Sequence, residues 1–410
     1  LHRRRHRHHG DPVNEQVRAD EASFVMQTYK RAPVEFVRGE GALLFDREGR
    51  QYIDFLGGIS VASVGHCHPA VVEAIRQQAG ELLHVSNLFY TAPMVELAKR
   101  LSESSLGGKV FFCNSGTEAN ECAIKIARKH ARSRGLESPE IVSFESDFHG
   151  RSYGALSATP GLAANPDFAP MLPGFRSVPF DDAAALREAV GPDTAAVLIE
   201  PIQGEAGVFP LSDNTLLAAR EACDEAGALL IFDEVQTGIG RTGSLWAYEQ
   251  GPVRPDVLTT AKALGGGTAI GACIGNPETG EVLAAGDHGS TFAAGPVASS
   301  AALAVLDLVD DPEMLRRIRA LGASLMERLN ALDGVAEVRG RGMMIGVRLE
   351  PGVNAGEVNA ALLGNGLVAN APRPDTLRFL PPFVLTDEQA DRAVALIDET
   401  LAGYHPDESN

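Results

Sequence analysis

The sequence predicts an α/β protein: a large domain built on a mostly parallel sheet, joined to a smaller C-terminal α+β domain. Three observations lead there. Short, almost wholly apolar runs alternate with helical stretches between residues 109 and 260, the mark of strands covered on both faces. After about residue 295 the chain turns Ala-rich and helical, then strand-like again. Ahead of both, residues 34–55 alternate apolar and polar side chains, with turn signals at Gly39–Gly41 and Glu48–Gly49, as a small β-meander would.

In chain order, the opening LHRRRHRHHG is basic and His-rich, and no apolar segment follows it. Residues 1–12 therefore read as a disordered tail rather than a secretory leader. Residues 13–60 form an N-terminal segment with the meander, 61–300 the large domain, and 301–410 the small one. Helices are expected over 69–82, 93–103, 117–134 and 214–226. The strands are KVFFC (109–113), EIVSF (140–144), AAVLIE (195–200), ALLIFDE (228–234) and DVLTT (256–260). One long helical region should run to Leu332. Strands at 338–350, 366–370 and 376–386 and a closing helix at 387–402 complete the small domain. With no long linker, the two domains should pack along a cleft.

Composition narrows the functional classes. The 410 residues carry a formal net charge of −18, which repels nucleic acid and anionic lipid. No apolar run approaches the roughly 20 residues needed to span a bilayer. The five cysteines, Cys67, Cys113, Cys122, Cys223 and Cys273, are scattered without a CxxC pair, which fits a reduced compartment, the cytoplasm.

Three segments carry chemistry. NSGTEAN (114–120) follows a strand and opens a helix; Ser115 and Glu118 have capping-box spacing, and Gly116 lets a ligand approach the backbone. The free N–H groups of that first turn attract an anion such as phosphate, although an ordinary capped helix would look the same. In LLIFDEVQTG (229–238), Asp233 and Glu234 end an apolar strand at the sheet edge where open α/β folds bind ligands. Such a carboxylate could bind a metal, act as a base, hold a cationic nitrogen, or simply be solvated. In VLTTAKALGGG (257–267), Lys262 follows another apolar strand and precedes a glycine triplet. A lysine there is costly unless paired or neutral and reactive; the bland alternative is a snorkelling surface lysine. Together the three suit pyridoxal phosphate, which needs a phosphate cup, a carboxylate on its ring nitrogen and a lysine for its aldehyde.

With the further segments GGISVASVGHCHP (57–69), FHGRS (148–152), EPIQGEAG (200–207), FDEVQTGIGRTG (232–243), TAKALGGG (260–267) and HGSTF (288–292), the chain from about Tyr29 onward resembles the class III (ω-)aminotransferases of pyridoxal-phosphate fold type I. Among them it is most similar to the acetylornithine group. The resemblance implies pyridoxal 5'-phosphate as cofactor, with Lys262 as the Schiff-base lysine and proton shuttle and Asp233 on the pyridine nitrogen. It places Gln236 on the phenolic oxygen, Phe148 on the ring face, and Ser115, Gly116 and Thr117 around the phosphate. Ser290 and Thr291 would reach that phosphate from a neighbouring subunit, implying a homodimer with shared active sites. Arg378 would grip the α-carboxylate of 2-oxoglutarate and glutamate, Glu205 would cover it when the ω-amino donor is bound, and Tyr29 and Arg151 would hold the donor's far carboxylate.

By the same resemblance His66 and His68 shape the cleft floor rather than bind metal, Arg241 ties down a turn, and Glu200 lies near the cofactor without a chemical step. Residues 293–295 read AAG where relatives commonly show GGN. The implied reaction moves the terminal amine of N2-acetyl-L-ornithine to 2-oxoglutarate, a step of arginine biosynthesis. Ornithine, succinylornithine, 4-aminobutyrate, an acyl-lysine or 2,4-diaminobutyrate remain alternative donors. An aminomutase and a non-catalytic scaffold remain alternative classes.

Overall fold

The computed structural model describes residues 13–404; the expected tail at 1–12 lies outside the described residues. A seven-stranded sheet forms the centre of the large domain. Its order is Val110–Cys113, Gly271–Gly275, Val257–Thr260, Leu229–Asp233, Thr194–Ile199, Glu140–Phe144, Phe175–Val178. The last five pair in parallel, whereas Gly271–Gly275 runs antiparallel to both its neighbours. Every residue of Thr194–Ile199, Leu229–Asp233 and Val257–Thr260 is buried, because helices cover both faces. The Cys122–Ile126 face of helix Gly116–Ser133 packs on one side, and helix Asp213–Ala226 packs on the other through Leu216, Ala219 and Cys223. Side chains at the C-terminal ends of these strands are thereby gathered at one edge of the sheet.

The helical region after residue 295 is two helices, Pro296–Val309 and Pro312–Asn330. Asp311 breaks it: its carboxylate accepts from the N–H groups of Glu313 and Met314, and Pro312 occupies the first helical position, where its missing N–H costs nothing. The expected strand at 338–350 is instead a hairpin, Val335–Arg341 with Met344–Leu349, turning at Gly342, whose φ is +56°. The strand expected at 376–386 ends at Phe379, ahead of Pro381 and Pro382. The meander forms as Phe36–Glu40, Leu43–Asp46 and Gln51–Asp54, and Leu367–Val368 adds to it in parallel.

Arg241 does more than tie down a turn. Its fully buried guanidinium donates to Ser60 Oγ (2.9 Å), Ser63 Oγ (2.6 Å) and the carbonyls of Met343 (3.0 Å) and Pro381 (2.7 Å), and it lies 4.6 Å from the Phe383 ring centroid. One side chain thus binds partners up to about 180 positions away from it in sequence. No helix among the described residues is long and apolar enough to cross a membrane.

Candidate active site

A cavity of about 440 Å³ opens where the strand ends meet the helix start at Gly116. Its walls include Ser115, Gly116, Thr117, Phe148, Arg151, Asp233, Gln236 and Lys262, eight of the residues singled out in sequence. They come from segments as far apart as 114 and 270 and converge because parallel strands put their C-terminal ends on one edge.

The helix start is prepared for an anion. Ser115 Oγ caps the helix by accepting from the Glu118 N–H at 3.3 Å. The expected capping box closes differently: Glu118 Oε2 accepts from the Asn114 N–H (2.8 Å) and the Ser115 hydroxyl (2.9 Å). The first-turn N–H groups of Gly116 and Thr117 have no intrahelical acceptor. A Cβ on Gly116 would stand 2.6 Å from Val235 Cγ1, so only glycine fits at this wall. The Thr117 hydroxyl accepts from the N–H groups of Arg151 (3.2 Å) and Ser152 (3.1 Å), fixing the turn that carries Arg151 over the Phe148 ring at 5.7 Å. Gly150, at φ +136°, allows this close approach.

Asp233 is buried and held from three sides. Its Oδ2 accepts from Asn120 Nδ2 at 2.7 Å and lies 2.9 Å from His149 Nδ1; its Oδ1 accepts from the Val235 N–H at 3.0 Å. Asn120 is fixed in turn by the Thr259 hydroxyl at 2.8 Å and the His149 carbonyl at 2.7 Å. The other ring nitrogen of His149 is 3.5 Å from Asp147 Oδ2. Burial disfavours a charged His149, but Asp147 and Asp233 overcome it and raise its pKa to about 10. The imidazolium thus lies between two carboxylates, and Asp233 is set in a dry hydrogen-bonded network as a partner for a cationic ring nitrogen would be. Glu200 beside them takes the opposite course. Burial, with the charges of Asp147 and Asp233, pushes its carboxyl up to about 8, while it accepts from the Phe148 N–H at 3.0 Å. Glu234 points away into the protein and accepts from the N–H groups of Ala247 (2.6 Å) and Tyr248 (2.9 Å), so it is neither solvated nor part of the cavity.

Lys262 follows the strand Val257–Thr260 in a backbone conformation with φ +43°, one an L-residue rarely adopts. Burial lowers the pKa of its amine, partly offset by the Glu205 charge, and among the described residues no acceptor holds it by a hydrogen bond. Arg378 is fully buried on the strand Thr376–Phe379. Its Nη1 donates to Glu205 Oε1 at 2.6 Å and Gln236 Oε1 at 3.2 Å, its Nε to Asn370 Oδ1 at 3.2 Å, and its Nη2 is buried with no partner among the described residues. An orphaned guanidinium nitrogen is costly unless a further acceptor arrives. The groups present therefore suit a phosphorylated pyridine aldehyde: free N–H groups at a glycine-walled helix start, a buried carboxylate paired with His149 and an unengaged buried amine.

Five expected residues are not on the cavity walls: Glu205 and Arg378 reach the cavity through Gln236, and Tyr29, Ser290 and Thr291 stand apart. Tyr29 is 72% exposed and touches Arg31. The Ser290 hydroxyl accepts from Asn114 Nδ2 of its own chain at 3.0 Å, and Thr291 is exposed. Downstream, Ala294 takes φ +51°, a conformation that glycine adopts more readily. His66 Nε2 pairs with Asp54 Oδ2 at 2.6 Å, and His68 caps the helix Pro69–Glu81. Sequence reasoning passed over Asn120 and His149, although both lie inside motifs it had picked out; a buried polar residue two places beyond Glu118 and a histidine beside Phe148 were the available signals.

Residues 24–401 match the family model of the class-III aminotransferases. The acetylornithine aminotransferase of Methanocaldococcus jannaschii is 45% identical over 386 residues, 93% of this chain and 96% of that protein. That of Aquifex aeolicus is 43% identical, covering 92% of this chain and 100% of its own. Among solved structures, the ornithine aminotransferase from Toxoplasma gondii superposes with a TM-score of 0.90 at 34% identity, covering 95% of this chain and 94% of that one. The acetylornithine aminotransferase from Elizabethkingia anophelis gives 0.84 at 35% identity, covering 95% and 99%. A family match spanning nearly the whole chain, on a fold that gathers the lysine, the aspartate and the helix start into one cavity, has one consequence: this chain belongs to the class-III aminotransferases.

Proposed function

We propose that this chain transfers the terminal amino group of N2-acetyl-L-ornithine to 2-oxoglutarate with pyridoxal 5'-phosphate, giving N-acetyl-L-glutamate 5-semialdehyde and L-glutamate. The observation that carries the reading is the Arg378–Glu205 pair beside the lysine cavity. One site must accept a dicarboxylate and also an amine whose reacting end bears no carboxylate. A buried arginine covered by a carboxylate that is still 36% exposed, and so able to leave, meets both needs. The names carried by relatives at 43–45% identity select the acetylated donor.

When bound, the cofactor supplies an electron sink for the carbanion at the donor carbon. The chain does the rest. The Gly116 and Thr117 N–H groups and Ser115 would hold the phosphate, Phe148 would cover the ring, and Asp233 would pair with the ring nitrogen. Gln236 would donate to the phenolic oxygen. The Lys262 amine, whose charge burial disfavours, would hold the aldehyde and would move a proton at the donor carbon. Arg151, at the mouth, and Tyr29 hold the donor's far carboxylate. The host pathway would be arginine biosynthesis and the compartment the cytoplasm.

The test is a half-reaction screen on the cofactor-loaded protein without keto acid, following the cofactor's visible absorbance. N-acetylornithine should convert it fastest, and 2-oxoglutarate should restore it. Faster conversion by ornithine would move the donor to the second reading, suggested by the Toxoplasma neighbour. No conversion by any ω-amine would overturn both.

The working unit is a homodimer. Leu83, Leu88, Phe89 and Tyr90 are exposed, Tyr90 at 96%, and this segment is tied to the 290–293 loop by Asn87 Nδ2 on the Ser290 (3.1 Å) and Ala293 (3.2 Å) carbonyls. With Phe292 the two segments make an apolar surface of the kind that marks an interface, and Ser290 and Thr291 on it would complete the partner's phosphate site. Light scattering should give about twice the 43.4 kDa chain mass. Leu88→Glu with Tyr90→Asp should give a monomer with weakened cofactor retention. A wild-type protein that is monomeric and fully active would refute the shared site.

A further inference from the structure

The Glu205–Arg378 pair has a third member. Gln236 is almost fully buried on the cavity wall, between the pair and the space beside Lys262. Its Oε1 accepts from Arg378 Nη1 at 3.2 Å, the same nitrogen that donates to Glu205 Oε1 at 2.6 Å. An amide offers one acceptor and two donors. With the oxygen committed to Arg378, the NH₂ group is left for Glu205 and for the cavity. The Glu205 carboxyl is disfavoured as an ion by burial, but the Arg378 charge, the Lys262 charge and the Gln236 amide together hold its pKa below the usual range.

Local backbone supports this placement. Gly204, the residue before Glu205, lies directly over Gln236: a Cβ there would stand 2.5 Å from the amide. The segment that carries Glu205 can therefore rest on Gln236 only because position 204 is glycine. On the far side, Asn370 Oδ1 fixes Arg378 Nε at 3.2 Å, so the guanidinium keeps its place when one contact is lost. The mobile partner is Glu205, half-exposed; the fixed ones are Gln236 and Asn370.

We propose that Gln236 is a specificity-determining residue: it latches Glu205 onto Arg378 while the ω-amine is bound, and it sets how readily a dicarboxylate displaces that glutamate. The proposal rests on the reading of Arg378 as the dicarboxylate's arginine. When Glu205 swings out, Gln236 keeps its bond to Nη1, and an incoming carboxylate takes the vacated position and the orphaned Nη2. Weakening the latch makes displacement easier, so removing the amide should tighten dicarboxylate binding, provided Glu205 is there to be displaced.

The experiment is a double-mutant cycle on the cofactor-loaded protein, read as glutarate binding by calorimetry. Glutarate has no keto or amino group, so it binds without reacting. The proteins are wild type, Gln236→Leu, Glu205→Gln and the double variant, with cofactor occupancy checked by absorbance. Gln236→Met stands in if the leucine variant loses its cofactor. Gln236→Leu should tighten glutarate about five-fold or more when Glu205 is present, the scale of one lost hydrogen bond to a charged group. In the Glu205→Gln background it should change binding by less than about two-fold. Equal effects in both backgrounds, or none in either, would overturn the latch. Arg378→Leu separates the two levels of the argument. If it abolishes glutarate binding while the cycle shows no coupling, only the role of Gln236 fails. If glutarate binds without Arg378, the reading of the arginine fails and the latch with it.

Discussion

Lys262→Ala is expected to lower kcat by about 10⁴-fold or more while leaving the protein folded. The asymmetry follows from the side chain's surroundings. Its amine takes part in no hydrogen bond among the described residues, so truncation breaks no structural contact. Removing an amine whose burial opposes its charge should leave the melting temperature unchanged or slightly higher. Chemically, nothing else can substitute. The other ionisable groups on the cavity wall are Asp233, engaged by Asn120 and His149, Glu200, its pKa pushed up to about 8, Arg151, whose guanidinium is no base, and His149 itself, packed behind Asp233. A positioned amine is the only group that could both bond to an aldehyde and return a proton to it. Single-turnover measurements with N-acetylornithine would check this, and a variant within about ten-fold of wild type would remove Lys262 from the reaction. The left-handed backbone at Lys262 argues the same way, since a non-glycine residue at φ +43° is tolerated where position matters more than local stability.

How much of this was legible beforehand depends on the physics behind each element. Strands such as Thr194–Ile199 and Leu229–Asp233 were readable because both faces are buried and the chain is apolar throughout. Phe175–Val178 was missed because it is an edge strand with exposed Arg176 and Ser177. Gly271–Gly275 was missed because glycines hide the pattern; a Cβ at Gly271 would fall 2.6 Å from the Ser115 carbonyl, so the strand can lie beside the helix start only as glycine. In the site, residue types with costly burial advertised themselves: a strand-end lysine and a strand-end aspartate. Their supports did not, because Asn120 finds Asp233 across 113 positions and Arg378 finds Glu205 across 173. Pairings of that span are decided by strand order, which no local pattern encodes. Phe148, Arg151, Glu205, Gln236 and Arg378 could be assigned only through the family resemblance, as could Tyr29, Ser290 and Thr291, and a single chain does not place these last three on the cavity wall.

Those hidden supports make Asp233 the second position of large effect. Asp233→Asn keeps the shape and removes the charge, and we expect kcat to fall by roughly 10²- to 10³-fold through loss of a preorganised anion at the ring nitrogen. The change also reaches the network behind it. Asn120 Nδ2 and His149 Nδ1 both approach Asp233 Oδ2, at 2.7 and 2.9 Å. A carboxylate oxygen can accept from both, whereas an asparagine must orient a single oxygen and present an NH₂ on its other side. The histidine then loses one of the two charges that raise its pKa to about 10. Its folded pKa lies above the unfolded value of about 6.5, so the imidazolium contributes stability that is fully present below that value and is lost as pH rises through about 10. In Asp233→Asn the folded pKa of His149 should drop, shrinking that window from its upper end. Melting temperatures recorded from pH 6 to pH 10 would therefore fall more steeply for wild type than for the variant, with the gap between them widest at low pH. Equal slopes would show that His149 is held by Asp147 alone. A variant with wild-type kcat would show that the ring nitrogen needs no anion here, and Asp233 would then be a structural acceptor for Asn120, His149 and the Val235 N–H and nothing more.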